Sequence, residues 1–279
     1  MFDARTSHVA GMPNLSYTGL SENWLLKACG DLHWQGLANL SGQALPEFRD
    51  AEGNKAYAAF TAIRVREASL EALGENAAFS VNTRLMRLAG ARHFSSHELM
   101  QEGDGAGARR AQVSMVSTFI RRQRERDNRS VVRAAFNMPV DGPPPAAAVE
   151  MAALAKRFRA GDWGGHLGLE QARHRGSHTA GYLPCPYGDF NGADLLYFAN
   201  FQAIVDRAEW QWQRFEEPPT VAARDLFFHG NVNLGEVLEL SFSAVDIRPD
   251  GLAHWCEIRR GSDGEKIADV VTRKRWRMR

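Results

Sequence analysis

From Trp24 onward, apolar residues return at steps of three and four: Leu25, Leu26, Ala28, Cys29, Leu32, Trp34, Leu37, Ala38 and Leu40. That period predicts a largely buried helix. Ser21 stands where its N-cap is needed, with acidic Glu22 just behind it. After Gly42 the pattern changes to strands: Tyr57–Val65, Ala78–Met86, His93–Leu99 and Arg110–Ile120. A turn at Asp50–Asn54 precedes the first, and a turn rich in glycine (Gly103, Gly105, Gly107) precedes the last. The polar residues before position 18, broken by Gly and Pro, read as an irregular arm.

The middle of the chain carries Pro139 and the run Pro143-Pro144-Pro145, which reads as a linker, followed by a helix over Ala146–Phe158 and a region rich in Gly and His through Ala180. The plan then repeats. Asp194–Trp212 is apolar enough for a buried helix, with Asn191 or Gly192 marking its start and Pro218-Pro219 its end. Four strand candidates follow: Arg224–Gly230, Val237–Val245, Ala253–Arg260 and Lys266–Trp276. In one ungapped register Leu73-Gly74-Glu75 matches Leu234-Gly235-Glu236, Gly90 meets Gly251, and His93 meets His254. A shared register with a helix upstream of both copies points to a duplication. The expected organisation is a first repeat over 19–135, a linker with a helix over 136–180, and a second repeat over 181–279.

One apolar helix per antiparallel sheet requires a sheet curved enough to bury it. The expected fold class is therefore α+β, a double hot dog with two helices, each wrapped by its own sheet. Near a helix N-terminus, free backbone N–H groups and the positive end of the dipole suit a carbonyl that gains negative charge. This points to thioester or carbonyl chemistry as a class without naming a reaction.

Composition narrows the field. The chain has 279 residues, 44% hydrophobic and 24% charged, with a net charge of +1. It is long enough for two cores, and no global field draws it to nucleic acid. No apolar stretch reaches the length of a bilayer span, the N-terminus lacks a signal-peptide pattern, and Cys29, Cys185 and Cys256 are scattered and odd in number. A cytoplasmic protein without membrane or nucleic-acid partners is expected, as a monomer or homodimer. No GxSxG, Walker A loop or GxGxxG occurs, which removes the main support for serine hydrolase, nucleotide hydrolase and Rossmann readings.

The segment from Asp189-Phe190-Asn191-Gly192 to Asn200-Phe201 resembles the entry to the central helix of hot dog thioesterases and dehydratases. The opening, Gly19-Leu20-Ser21-Glu22-Asn23-Trp24-Leu25-Leu26-Lys27 with Cys29-Gly30-Asp31-Leu32-His33-Trp34, resembles the leinamycin-type bifunctional acyltransferase/decarboxylase family of double hot dog enzymes. That resemblance implies transfer of an acyl unit from malonyl- or methylmalonyl-CoA to an acyl carrier protein, through a tyrosine acyl-enzyme and without a further cofactor. Tyr57, one of five tyrosines, is the position that would match the nucleophile. The alternatives are a hot dog thioesterase or dehydratase acting on acyl-CoA or acyl-carrier substrates, and a non-catalytic binder of carrier protein.

Among candidate residues, Asn191 could donate to a thioester oxygen or to a substrate carboxylate without adding charge, or it could simply cap a helix. Asp189 and Gly192 stand beside it, and Ser21 occupies the matching place before the first helix. His33 is either a donor to the substrate pocket or a satisfied core histidine. Asp31, two residues away on the same helix, cannot pair with it. His93/His97 and His174/His178 have a spacing that would suit a metal only on a helix, and they fall in strand or loop. Two basic runs end the repeats, Arg121-Arg122-x-Arg124-x-Arg126 and Arg273-Lys274-Arg275-x-Arg277-x-Arg279. They read as solvated strand ends, or as contacts of Arg121, Arg122 and Lys274 with coenzyme A phosphates or an acidic carrier protein.

Overall fold

The computed structural model describes residues 1–103, 107–136, 140–171 and 178–277. Gly105, Pro139, His174 and Arg279 lie outside the described residues. The elements run β1 (Phe2–Val9), β2 (Leu15–Ser16), β3 (Gly19–Leu20), α1 (Glu22–Leu40), β4 (Phe48–Arg49), β5 (Lys55–Arg66), β6 (Ala78–Leu88), β7 (Arg92–Gln101), β8 (Ala108–Arg122) and β9 (Val131–Arg133). Then come α2 (Ala146–Ala160), β10 (Gly165–His166), β11 (Leu169–Glu170), β12 (His178–Tyr182), α3 (Asn200–Gln213), β13 (Thr220–Phe228), β14 (Leu238–Arg248), β15 (Gly251–Arg260) and β16 (Lys266–Arg275). The chain divides into two compact units, Met1–Arg121 with Val132–Ala152, and Arg122–Val131 with Ala153–Arg279.

In the first unit the strands lie in the order β1-β6-β7-β8-β5, each pair antiparallel. Ser21 caps α1 by accepting from the Trp24 amide at 3.3 Å, as its position predicts. Helix α1 touches every strand of this sheet. Trp24 packs edge-on to Phe79 of β6, and His33 bonds to Ser95 of β7 and Ser117 of β8. Trp34 donates to the Ala58 carbonyl of β5 at 3.0 Å. On β1, Phe2 lies so close to the helix that a Cβ at Gly36 would come within 2.8 Å of its ring. A sheet in contact with one helix along five successive strands must curl round it. Leu37, Ala38, Phe48, Ala58, Leu85 and Phe119 fill the space between.

The second unit repeats this order as β12-β14-β15-β16-β13, again antiparallel. Helix α3 likewise reaches all of them: Trp212 stacks on His178 of β12 and contacts Phe242 of β14, and Phe201 packs on Phe228 of β13. Glu209 of α3 meets His254 of β15 and Lys274 of β16. In both units a strand ahead of the helix, β1 or β12, and one that follows it, β5 or β13, take opposite edges of the order. This shared connectivity carries the duplication further than a few matched letters can.

Two expectations need correction. Residues 2–9 are a strand, not an irregular arm, and β12 emerges from the region rich in Gly and His. Both have weak apolar alternation: along β1 only every second residue is partly covered, with Asp3, Arg5 and Ser7 between them. The second correction is that α3 starts at Asn200, not near Asp194. Asp194 sits at φ +57° and Phe190 bridges Leu196, so the chain turns back on itself before it can enter a helix. The predicted linker helix is present, and Ala148, Met151, Leu154 and Phe158 give it a buried stripe. No helix among the described residues is long and apolar enough to cross a membrane.

Candidate functional site

After β12 the sequence Leu183-Pro184-Cys185-Pro186-Tyr187-Gly188 cannot continue a sheet ladder, because its two prolines lack amide donors. It turns instead, the Asp189 amide donating to the Cys185 carbonyl at 2.8 Å. The turn brings Asp189, a buried residue, back to the strand end. Its Oδ2 accepts from the Tyr182 hydroxyl at 2.8 Å and from the Cys185 amide at 2.7 Å. No donor among the described residues engages Oδ1. Burial, and then the Asp189 carboxylate, push the Tyr182 phenol up to about 12, so it remains a proton donor.

Asn191 follows at the tip of the small hairpin closed by the Phe190–Leu196 bridge. Its Oδ1 accepts from the Ala193 amide at 2.9 Å and the Leu195 amide at 3.1 Å. This Asx turn replaces the expected helix cap. With Oδ1 fixed by two backbone donors, the amide nitrogen is held on the other side and has no protein acceptor among the described residues. Gly192 is exposed at the tip.

Residues distant in sequence clamp this hairpin. Arg122 donates to the Ala193 carbonyl and, at 2.7 Å, to Asn128 Oδ1. Asn128 Nδ2 donates to the carbonyls of Asp194 at 2.6 Å and Val232 at 2.8 Å, and the Asn233 side chain accepts from the Asn128 amide. Asn200 at the start of α3 donates to the Gly188 carbonyl at 2.6 Å. The expected residues Asp189, Asn191, Gly192 and Arg122 thus come together in the second unit. Arg122, expected as a solvated strand end or a contact for phosphates or a carrier protein, donates here to a backbone carbonyl and to Asn128. No local motif marks Asn128, Tyr182 or Arg207, whose partners lie far along the chain.

The other expected residues lie elsewhere. Lys274 is no solvated strand end: it is buried, with Nζ 2.5 Å from Glu209 and 2.8 Å from Asp206. Arg224, fully buried, also binds Asp206 at 2.8 Å, and His254 bonds to Glu209 at 2.6 Å. Burial opposes the Lys274 charge, but the two acids outweigh it and hold the ammonium above its ordinary value. In the first unit Arg121 pairs with Asp50 at 3.1 Å and with Glu52 at 3.7 Å. Tyr57 is half-buried on β5 opposite Ile120, with Lys55 Nζ 5.4 Å from its ring centroid. Ser21 is the α1 cap already described.

His33 is the satisfied core histidine. Its Nδ1 bonds to Ser95 at 2.7 Å and its Nε2 to Ser117 at 2.8 Å, while Ser95 and Thr83 hold His97. Asp31 on the same helix faces out and pairs with Gln35. His93 is buried too, and neither of its ring nitrogens has a hydrogen-bond partner among the described residues. Burial drives all three imidazoles down from 6.5: His93 to about 4 with help from Arg87, His97 to about 3, and His33 well below its ordinary value with help from His93 and His97. The native state therefore excludes protons that the unfolded chain takes up near pH 6.5. The stability from this cluster is full above that pH and is lost as pH falls toward 4. Thermal melts should show the midpoint dropping across this window. His93→Phe, which removes the unsatisfied nitrogens but keeps the edge packing on Phe119, should raise the midpoint and flatten the slope. An unchanged slope would remove His93 from the acid response.

No protein-family model matches the chain, and no curated protein matches it. Solved structures do. The 12:0-ACP thioesterase from Umbellularia californica aligns with a TM-score of 0.65 at 9% identity, over 99% of this chain and 98% of that one. An acyl-ACP thioesterase from Bacteroides thetaiotaomicron gives 0.59 at 12%, over 98% and 97%. A MaoC-like dehydratase from Phytophthora capsici gives 0.51 at 10%, over 98% and 95%. At such identities the likeness establishes the fold, and the chain is a double hot dog of the α+β class.

Proposed function

We propose that the chain hydrolyses acyl thioesters, with Asn191 and Asp189 as its catalytic residues. The observation that carries this reading is the Asn191 amide, immobilised through Oδ1 while its N–H donors meet no acceptor among the described residues. Such a donor needs no reorganisation when a thioester carbonyl becomes an oxyanion. Asp189 lies two positions away across the bridged Phe190, so one small hairpin carries both side chains. Its Oδ1 takes a proton from water as the water oxygen bonds to the carbonyl carbon. Collapse of the adduct breaks the C–S bond, and the departing thiolate takes up that proton, leaving a carboxylic acid and a thiol. The likeness to two acyl-ACP thioesterases supports carrier-bound acyl groups as substrates. Release of free thiol from acyl-CoA and acyl-carrier substrates, measured with purified protein, tests the reading.

A second reading keeps the acyl group on Tyr57 for transfer to a carrier protein, with decarboxylation of a malonyl-type donor. The observation behind it is the Lys55 ammonium, a cation 5.4 Å from the Tyr57 ring centroid. The two readings separate cleanly. Under hydrolysis, Tyr57→Phe retains turnover within about twofold, because a partly buried strand tyrosine loses only its hydroxyl. Intact mass after incubation with malonyl-CoA then shows no adduct on either protein. An adduct on the wild type that Tyr57→Phe abolishes would select acyl transfer.

A further inference from the structure

A general base needs a carboxylate oxygen free to meet water. A carboxylate in a protein with many arginines is easily captured by a direct ion pair. Asp263 shows the outcome: Arg260 Nε engages both its oxygens at 2.9 and 3.1 Å, and Nη2 adds a third contact at 2.7 Å. A carboxylate held in that way has little left for a water molecule.

Asp189 is held differently. Arg207 of α3 comes close, but its Nη1 donates to the Tyr182 hydroxyl oxygen at 2.8 Å, and its guanidinium carbon lies 5.8 Å from the Tyr182 ring centroid. The same hydroxyl donates onward to Asp189 Oδ2. The phenol is therefore interposed between guanidinium and carboxylate. It passes on the polarisation of the cation while keeping the cation off the carboxylate, and donation in series strengthens each bond. The Cys185 amide completes the hold on Oδ2, and Oδ1 meets no donor among the described residues. Each part comes from a different element: Tyr182 from the end of β12, Arg207 from the exposed face of α3, and Cys185 from the proline loop.

We infer that Tyr182 and Arg207 are positioning residues for Asp189, fixing Oδ2 so that Oδ1 remains available to the attacking water. This rests on the hydrolytic reading of Asp189, and the test keeps the two apart. Full-length Tyr182→Phe, Arg207→Ala and Arg207→Lys are compared with wild type by steady-state hydrolysis and by hydrogen exchange at the Cys185 amide. Tyr182→Phe is expected to lower kcat about tenfold with KM nearly unchanged, the usual consequence of losing one charge-assisted hydrogen bond. Cys185 amide exchange should quicken by a similar factor as Asp189 swings free. Arg207→Ala moves both readouts in the same direction, and Arg207→Lys, which keeps a cationic donor, restores most of the loss. Arg207 is exposed, so its variants fold even if Tyr182→Phe does not. Unchanged exchange at Cys185 in both Tyr182→Phe and Arg207→Ala overturns the inference, as does a rise in KM at constant kcat. If wild type turns over no thioester, hydrolysis falls, and the Cys185 exchange alone still decides whether Tyr182 and Arg207 position Asp189.

Discussion

Asn191→Ala is expected to lower kcat/KM for thioester hydrolysis by about 10²–10³-fold, the effect of removing one preorganised oxyanion donor. Alanine also releases the Ala193 and Leu195 amides, which lose the oxygen that organises the hairpin. Part of the loss could then come from a loosened loop. Asn191→Asp separates the two effects. Its carboxylate still accepts from both backbone amides, so the turn survives, but it offers no donor and places negative charge where an oxyanion would form. The substitution is therefore expected to reduce turnover at least as much as alanine while leaving the thermal midpoint near that of wild type. Activity retained in Asn191→Asp would mean that the amide serves only the turn.

The largest expected loss of stability comes from Lys274→Met, about 3–5 kcal/mol, because it removes one partner from a buried charge group and leaves the others in place. Glu209 would stay buried in the second unit with His254 as its partner, beside the half-buried Asp206, which keeps Arg224. Burial tends to raise the Glu209 carboxyl, but Lys274 and His254 outweigh it and hold it below the ordinary glutamate range. Without Lys274 that balance fails, and the acid must take up a proton or draw in water. The neighbouring Arg273 is exposed, so Arg273→Ala should change stability by no more than about 0.5 kcal/mol. Urea denaturation of the pair checks the contrast. Equal effects would show that Lys274 contributes only as an ordinary surface charge.

These two adjacent residues show where sequence reading runs out. Within the basic run at the end of the second repeat, β16 sends Arg273 outward and Lys274 inward, and only the strand register separates them. The helix over residues 22–40 and the strands after it were legible because long periodic stretches leave few alternatives. β1 and β12 were not, since short polar strands at the edge of each sheet have almost no apolar signal. In α3 the apolar residues Leu195, Leu196 and Phe198 extend the helical pattern backward, yet the Asx turn at Asn191 and the left-handed Asp194 take them out of the helix. At the site, Asp189 and Asn191 were visible as polar residues ahead of a helix. Tyr182, Arg207 and Asn128 reach them only through tertiary contacts, and no spacing rule announces those. His33 shows the reverse case: a residue chosen for its chemistry that the core had already satisfied with two serines.

The most direct measurement is thiol release from acyl-CoA and acyl-carrier substrates by wild type and Asp189→Asn side by side. Asparagine keeps the shape and still accepts from Tyr182 and Cys185, but it cannot take a proton from water. Steady turnover by the wild type and a loss of at least about a hundredfold in the variant is the expected result. Equal rates for the two proteins, or no turnover by either, would contradict hydrolysis at this carboxylate.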